Sequence, residues 1–237
     1  MQPNLAGTSS CNNLYESYVF RIRAFLLRCC SYYAIINAKG VDFMKAVHNL
    51  PEGYLPLFSI DLQKDTKLSL FVNTLAVVIA ALLAIPMHYV VPISALFDMS
   101  KGLGPYALRF AVLIILMIVY MVLHELVHGV AMKICGTGKV KYGFTGLYAF
   151  ACSDDYYDKR SYFFIALAPV VFWGIVLAIL TPIVSTQWFW VVYFIQISNL
   201  SGAAGDLYVT VRFSRLPKDI LIKDCGVGMT VYAQKKY

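Results

Sequence analysis

Two histidines and a glutamate stand together in Val122-Leu123-His124-Glu125-Leu126-Val127-His128-Gly129. On a helix the 3.6-residue period puts residues four apart on one face, so both imidazoles can reach a single metal ion. Glu125 sits beside them. This is the H-E-x-x-H spacing, in which two neutral imidazoles hold zinc and the glutamate acts as a base toward water. The neighbours are apolar over a length that can cross a bilayer, and ionisable groups at that depth are costly enough that they usually serve a function.

Catalytic zinc takes three protein ligands and keeps one position open. The other acidic residue inside an apolar run is Asp206, in Asn199-Leu200-Ser201-Gly202-Ala203-Ala204-Gly205-Asp206. His128 precedes Cys135 by 7 residues and Asp206 precedes Arg212 by 6. If both segments run inward, a rise of ~1.5 Å per residue puts the two half-sites at the same height, on the order of 10 Å from the inner end. Asp206 is therefore the expected third ligand. The small residues Gly202 to Gly205 would let its helix approach the histidine helix closely. The blander alternative pairs Asp206 with Arg212 or Arg215. Asn199, about two turns earlier on the same face, is left open between orienting a ligand, holding a substrate carbonyl and packing against a helix.

The elements that must position these groups follow from composition. Of 237 residues, 59% are hydrophobic and 14% charged, with a mean hydropathy of +0.66. That balance excludes an ordinary soluble domain and predicts an all-α membrane protein, a bundle of four transmembrane helices. The spans are expected near 68–85, 106–135, 161–184 and 188–211. Between the second and third, residues 136–160 alternate apolar and polar around Gly138, Gly143 and Gly146, which predicts a small β-hairpin or re-entrant segment. Its exposed edge could accept an extended peptide. Pro169, inside the third span, frees a backbone carbonyl that another group must satisfy. Trp188 and Trp190 are expected to anchor the start of the fourth span at the interface.

The net charge of +7 does not point to nucleic acid, because the basic residues flank apolar runs instead of forming a stripe. They cluster before the first span, again at Lys133, Lys139, Lys141, Lys159 and Arg160, and again from Arg212 onward. The positive-inside rule then predicts a multi-pass protein of the cell membrane with both termini cytoplasmic. On that orientation the six cysteines fall on the reducing side, and free thiols are expected. Residues 1–43 read as an N-terminal extension with a basic amphipathic helix from Tyr15 to Cys29, left open between lying on the interface and packing on a partner in the cytoplasm. Its short apolar run Val19 to Leu27, broken by Arg21 and Arg23, does not resemble a cleavable signal. Met44 reads like a natural start, and 44–237 as the domain carrying the chemistry.

His124-Glu125-Leu126-Val127-His128-Gly129, Gly143-Phe144, Tyr148-Ala149-Phe150, Ile165-Ala166-Leu167-Ala168-Pro169 and Asn199 through Gly205-Asp206 together resemble a family of small bacterial membrane proteins described as zincin peptidases. The family is distantly similar to the site-2 class of intramembrane metalloproteases. The resemblance runs from about Leu50 to Tyr232 and implies a zinc-dependent peptidase with His124, His128 and Asp206 as ligands and Glu125 as base. It departs from the site-2 pattern in the fourth span, where Asn199 is not followed by the expected proline and Asp206 is followed by Leu207 instead of glycine.

The expected activity is peptide-bond hydrolysis within or beside the bilayer, on a membrane protein or peptide substrate. The rival from another class is a metal-binding membrane protein without proteolysis, a sensor or a transporter component, in which Glu125 would be dispensable. A third possibility is a structural module that binds no metal.

Overall fold

The computed structural model describes residues 46–146, 149–226 and 228–235; the helix expected between Tyr15 and Cys29 lies outside them. Strand β1 (Tyr54–Asp61) leads into helix α1 (Thr66–Val90). The Asp65 carboxylate caps α1 by accepting from the Leu68 N–H at 3.0 Å, which satisfies a donor that the first turn leaves unpaired. Helix α2 (Leu103–Ile134) follows, then strands β2 (Val140–Phe144), β3 (Ala149–Ser153) and β4 (Tyr156–Asp158). Helix α3 (Lys159–Leu180) is capped by Asp158, which accepts from the Ser161 N–H at 3.1 Å. Helices α4 (Thr186–Gly202) and α5 (Ala204–Ser214) and strands β5 (Ile220–Asp224) and β6 (Gly228–Gln234) complete the chain.

Three helices, α1, α2 and α3, are long and apolar enough to cross a membrane. The first two leave large side chains bare: Leu70, Val77, Leu82 and Ile85 on α1, and Ile114, Ile115, Ile118 and Val122 on α2, are all exposed. Apolar surface on that scale needs a partner, and a bilayer supplies one. α4 is packed from all sides instead, with contacts to α1, α2 and α3.

The expectation of one continuous fourth helix is corrected. The stretch divides at Ala203 (φ −82°, ψ 14°) into α4 and α5. α4 alone has 17 residues, short of the roughly 20 that a bilayer requires. The small residues around the break serve a different contact from the one expected. α5 packs on α1 and α3, with Ala203 and Ala204 buried. Trp190 is likewise no interfacial anchor: it is fully buried, and its indole N–H donates to the carbonyls of Val91 (3.1 Å) and Pro92 (3.2 Å) beyond the end of α1.

The all-α expectation is corrected as well. A four-stranded antiparallel sheet, in the order β1-β6-β5-β4, closes one end of the helices. β1 precedes the first long helix, and the tail forms the hairpin of β5 and β6. Ile60, Ile220, Ile222 and Val231 from the sheet pack into one core with Met132, Tyr162, Ile165 and Phe213 from the helices. The expected hairpin between the second and third helices is present as β2 and β3, in register from Val140 opposite Ser153 to Phe144 opposite Ala149.

Candidate metal centre

α2 carries His124 and His128 on one face, with ring centroids 5.0 Å apart. Asp206, in the first turn of α5, brings Oδ2 to 3.8 Å from His124 Nε2 and 3.7 Å from His128 Nε2. A carboxylate from one segment therefore lies within 4 Å of two imidazoles from another. The separations exceed the 2.7–3.2 Å of an N–H···O hydrogen bond. Donors about 2.0–2.1 Å from a tetrahedral zinc stand roughly 3.4 Å apart, so the carboxylate stands within a few tenths of an ångström of that spacing from each imidazole.

The other nitrogen of each ring is already engaged. His128 Nδ1 lies 2.9 Å from the Ile165 carbonyl oxygen. Ile165 is four residues before Pro169, so its carbonyl is the one that the missing proline N–H leaves without a helical donor. Proline thus creates an acceptor inside α3, and His128 uses it. His124 Nδ1 lies 2.8 Å from the Tyr120 hydroxyl, which donates to Asn199 Oδ1 at 2.8 Å. The Asn199 amide donates in turn to the Val170 carbonyl at 3.1 Å. Every donor in that chain has one direction that works: both imidazoles carry their proton on Nδ1 and turn a bare Nε2 toward Asp206. Asn199, left open by sequence, is a fully buried positioning residue for His124. A Cβ at Gly174 would stand 3.4 Å from its amide nitrogen, so glycine there makes room for it.

Glu125 shares a compact group with the two histidines, one ligand atom from each lying within 4.8 Å of the others. Ala151 of β3 lines the same cavity as Glu125. The hairpin approaches α2 because Gly129 has no side chain: a Cβ there would collide with the Tyr142 ring and hydroxyl. Phe150 is seated in the same way against Gly143 and Gly226, either of which would strike it with a Cβ.

These groups open onto a cavity of about 510 Å³, lined by His124, Glu125, His128, Asp206 and many apolar side chains, among them Val72, Ile118 and Ile165. One further carboxylate faces it: Asp224, at the end of β5. Burial pushes its carboxyl up to about 7, and Asp206 and Glu125 push the same way, against the Gly226 amide and His128. No sequence signal marked Asp224, because it lies in the basic tail directly after Lys223. Tyr120 and Ile165 had signals, the first one turn before His124 and the second four residues before a proline.

Residues 117–221 match the model of a family described as "Putative zincin peptidase". This is the family that the motifs resemble, and the matched stretch runs from within α2 to the start of β5, taking in His124, Glu125, His128, Asn199 and Asp206. No curated protein and no solved structure matches the chain.

Proposed function

We propose that the chain is a zinc-dependent peptidase that cleaves a membrane protein or peptide within or beside the bilayer. The observation that carries this reading is the approach of Asp206 Oδ2 to within 3.8 Å of His124 Nε2 and 3.7 Å of His128 Nε2, with Glu125 grouped beside the two histidines. His124, His128 and Asp206 hold the ion. Zinc, when bound, supplies Lewis acidity toward water and the scissile carbonyl. Glu125 takes the proton from the attacking water and returns it to the leaving amine. The Tyr120–Asn199 relay and the Ile165 carbonyl keep both rings in the tautomer that leaves Nε2 free.

The β2–β3 hairpin supports the same reading. β3 pairs with β2 along one edge, and among the described residues no strand lies on the other. Ala149, Phe150 and Ala151 line the cavity beside Glu125, so an unwound substrate segment can lie along that edge in extended form. A helical substrate must unwind first, because its carbonyls are taken up in its own hydrogen bonds.

The protein is read as multi-pass in the cell membrane with both termini cytoplasmic. α4 and α5 together form a fourth crossing interrupted at Ala203; their 17 and 11 residues at ~1.5 Å each exceed a ~30 Å hydrocarbon core. The test compares membrane peptides from cells carrying wild type or Glu125→Gln. Fragments should appear only with wild type, while both proteins purify with zinc. Equal cleavage by zinc-loaded Glu125→Gln would remove the hydrolase reading and leave a metal-binding membrane protein.

A further inference from the structure

The cavity contains one carboxylate that the proposed chemistry does not use. Asp224 projects from the last residue of β5 into the same cavity as Glu125 and Asp206. Its Oδ1 accepts from the Gly226 N–H at 2.8 Å, while the nearby Tyr162 hydroxyl donates to Met229 Sδ at 3.1 Å. A carboxylate has about four acceptor positions, so the Gly226 amide leaves most of its capacity for what enters the cavity.

Among the described residues no Lys or Arg side chain lines the cavity. Lys223, the adjacent residue, falls on the opposite face of the strand, where its Nζ stands 5.4 Å from the centroid of the Tyr156 ring. Lys141, the nearest candidate on the hairpin, is tied to Asp154 at 2.6 Å. The ion held by His124, His128 and Asp206 answers the charge of Asp206, and Glu125 is occupied with water and its proton. A carboxylate on the cavity wall gains a charge-assisted partner when a ligand brings a cation.

We propose that Asp224 is a specificity-determining residue that receives the positively charged side chain of a substrate lysine or arginine close to the scissile bond. The inference rests on the peptidase reading and names its substrate class: apolar segments bearing a basic residue. Such segments are abundant where membrane proteins meet the cytoplasm, since lysine and arginine concentrate there. The apolar wall of the cavity takes the hydrophobic part of the segment and Asp224 its charged end.

The test uses full-length zinc-loaded Glu125→Gln in detergent micelles, which binds without turnover. Two fluorescent apolar peptides are titrated, identical except for one lysine replaced by glutamine. The lysine peptide should bind about ten-fold or more tightly, the range of a charged hydrogen bond. Adding Asp224→Asn should bring the two affinities within about two-fold, and Asp224→Glu should restore part of the preference. Equal binding of both peptides by the Asp224-containing protein would overturn the inference, as would a preference that persists in Asp224→Asn. A preference that follows Asp224, in a protein whose wild type cleaves neither peptide, would keep the cation site while removing the peptidase reading.

Discussion

The cavity has two unlike walls. The helical wall, α2 with α4 and α5, holds His124, Glu125, His128, Asn199 and Asp206, and hydrogen bonds from behind leave the two rings and the Asn199 amide little freedom. The sheet wall, β3 and β5, offers Ala151, Phe150 and Asp224 around glycines that make space. The difference separates tasks. Rigid helices set atoms at the spacing that metal chemistry needs, and strand edges present main chain and one unpaired acid to whatever enters. Loss on the first wall should abolish turnover, whereas loss on the second should change what is accepted.

The largest effect expected is on the helical wall. Glu125→Gln should lower cleavage by about 10²–10⁴-fold, the scale of a lost general base, with zinc content unchanged by elemental analysis. Next come the groups behind the imidazoles, whose loss typically costs 10–100-fold in metal affinity. Tyr120→Phe removes the acceptor of His124 Nδ1, and Pro169→Ala restores an N–H that competes with His128 for the Ile165 carbonyl. Zinc competition against a chromophoric chelator should find both weakened. If Pro169→Ala bound zinc as tightly as wild type, the proline would have no part in aiming His128.

On the sheet wall, Gly129→Ala should displace Tyr142 and undock the hairpin, at a cost of about 1–3 kcal/mol from overpacking, with zinc still bound. Limited proteolysis between β2 and β3 should then accelerate. The smallest effect concerns pH. The Asp224 carboxyl, raised to about 7 from an unfolded value near 3.9, holds more protons folded than unfolded between those values. Its contribution to stability is therefore lost as pH rises through that window. Metal-free Asp224→Asn should melt a few degrees above wild type at pH 8, and the gap should close by pH 4. A gap that widened on acidification would reverse the sign and contradict the placement of Asp224 beside Asp206 and Glu125 in the cavity.

What the sequence revealed follows the range of the interactions. His124, Glu125 and His128 lie within one helical turn and a half, so their relation is local and could be read directly. Asp206 was reached by matching heights along two spans, and its predicted nearness to the imidazoles agrees with the structure even though the helix expected to carry it breaks at Ala203. The sheet was hidden. β1 pairs with β6 across the whole length of the described chain, from Tyr54 opposite Gln234 to Asp61 opposite Gly228, and no local pattern announces a partner so distant. Asp224 was hidden for the same reason, since its position facing His128 depends on that sheet docking under the helices. Asn199 lay between the two cases, visible as a polar residue in an apolar run, with its partner Tyr120 79 positions away.

The most direct measurement of the central claim is zinc affinity across the two walls, by chelator competition on purified full-length protein. Wild type should bind one equivalent, Asp206→Ala should lose at least about a hundredfold in affinity, and Asp224→Ala should bind as wild type does. An Asp206→Ala protein that holds zinc with wild-type affinity would show that α5 does not complete the metal centre begun by α2.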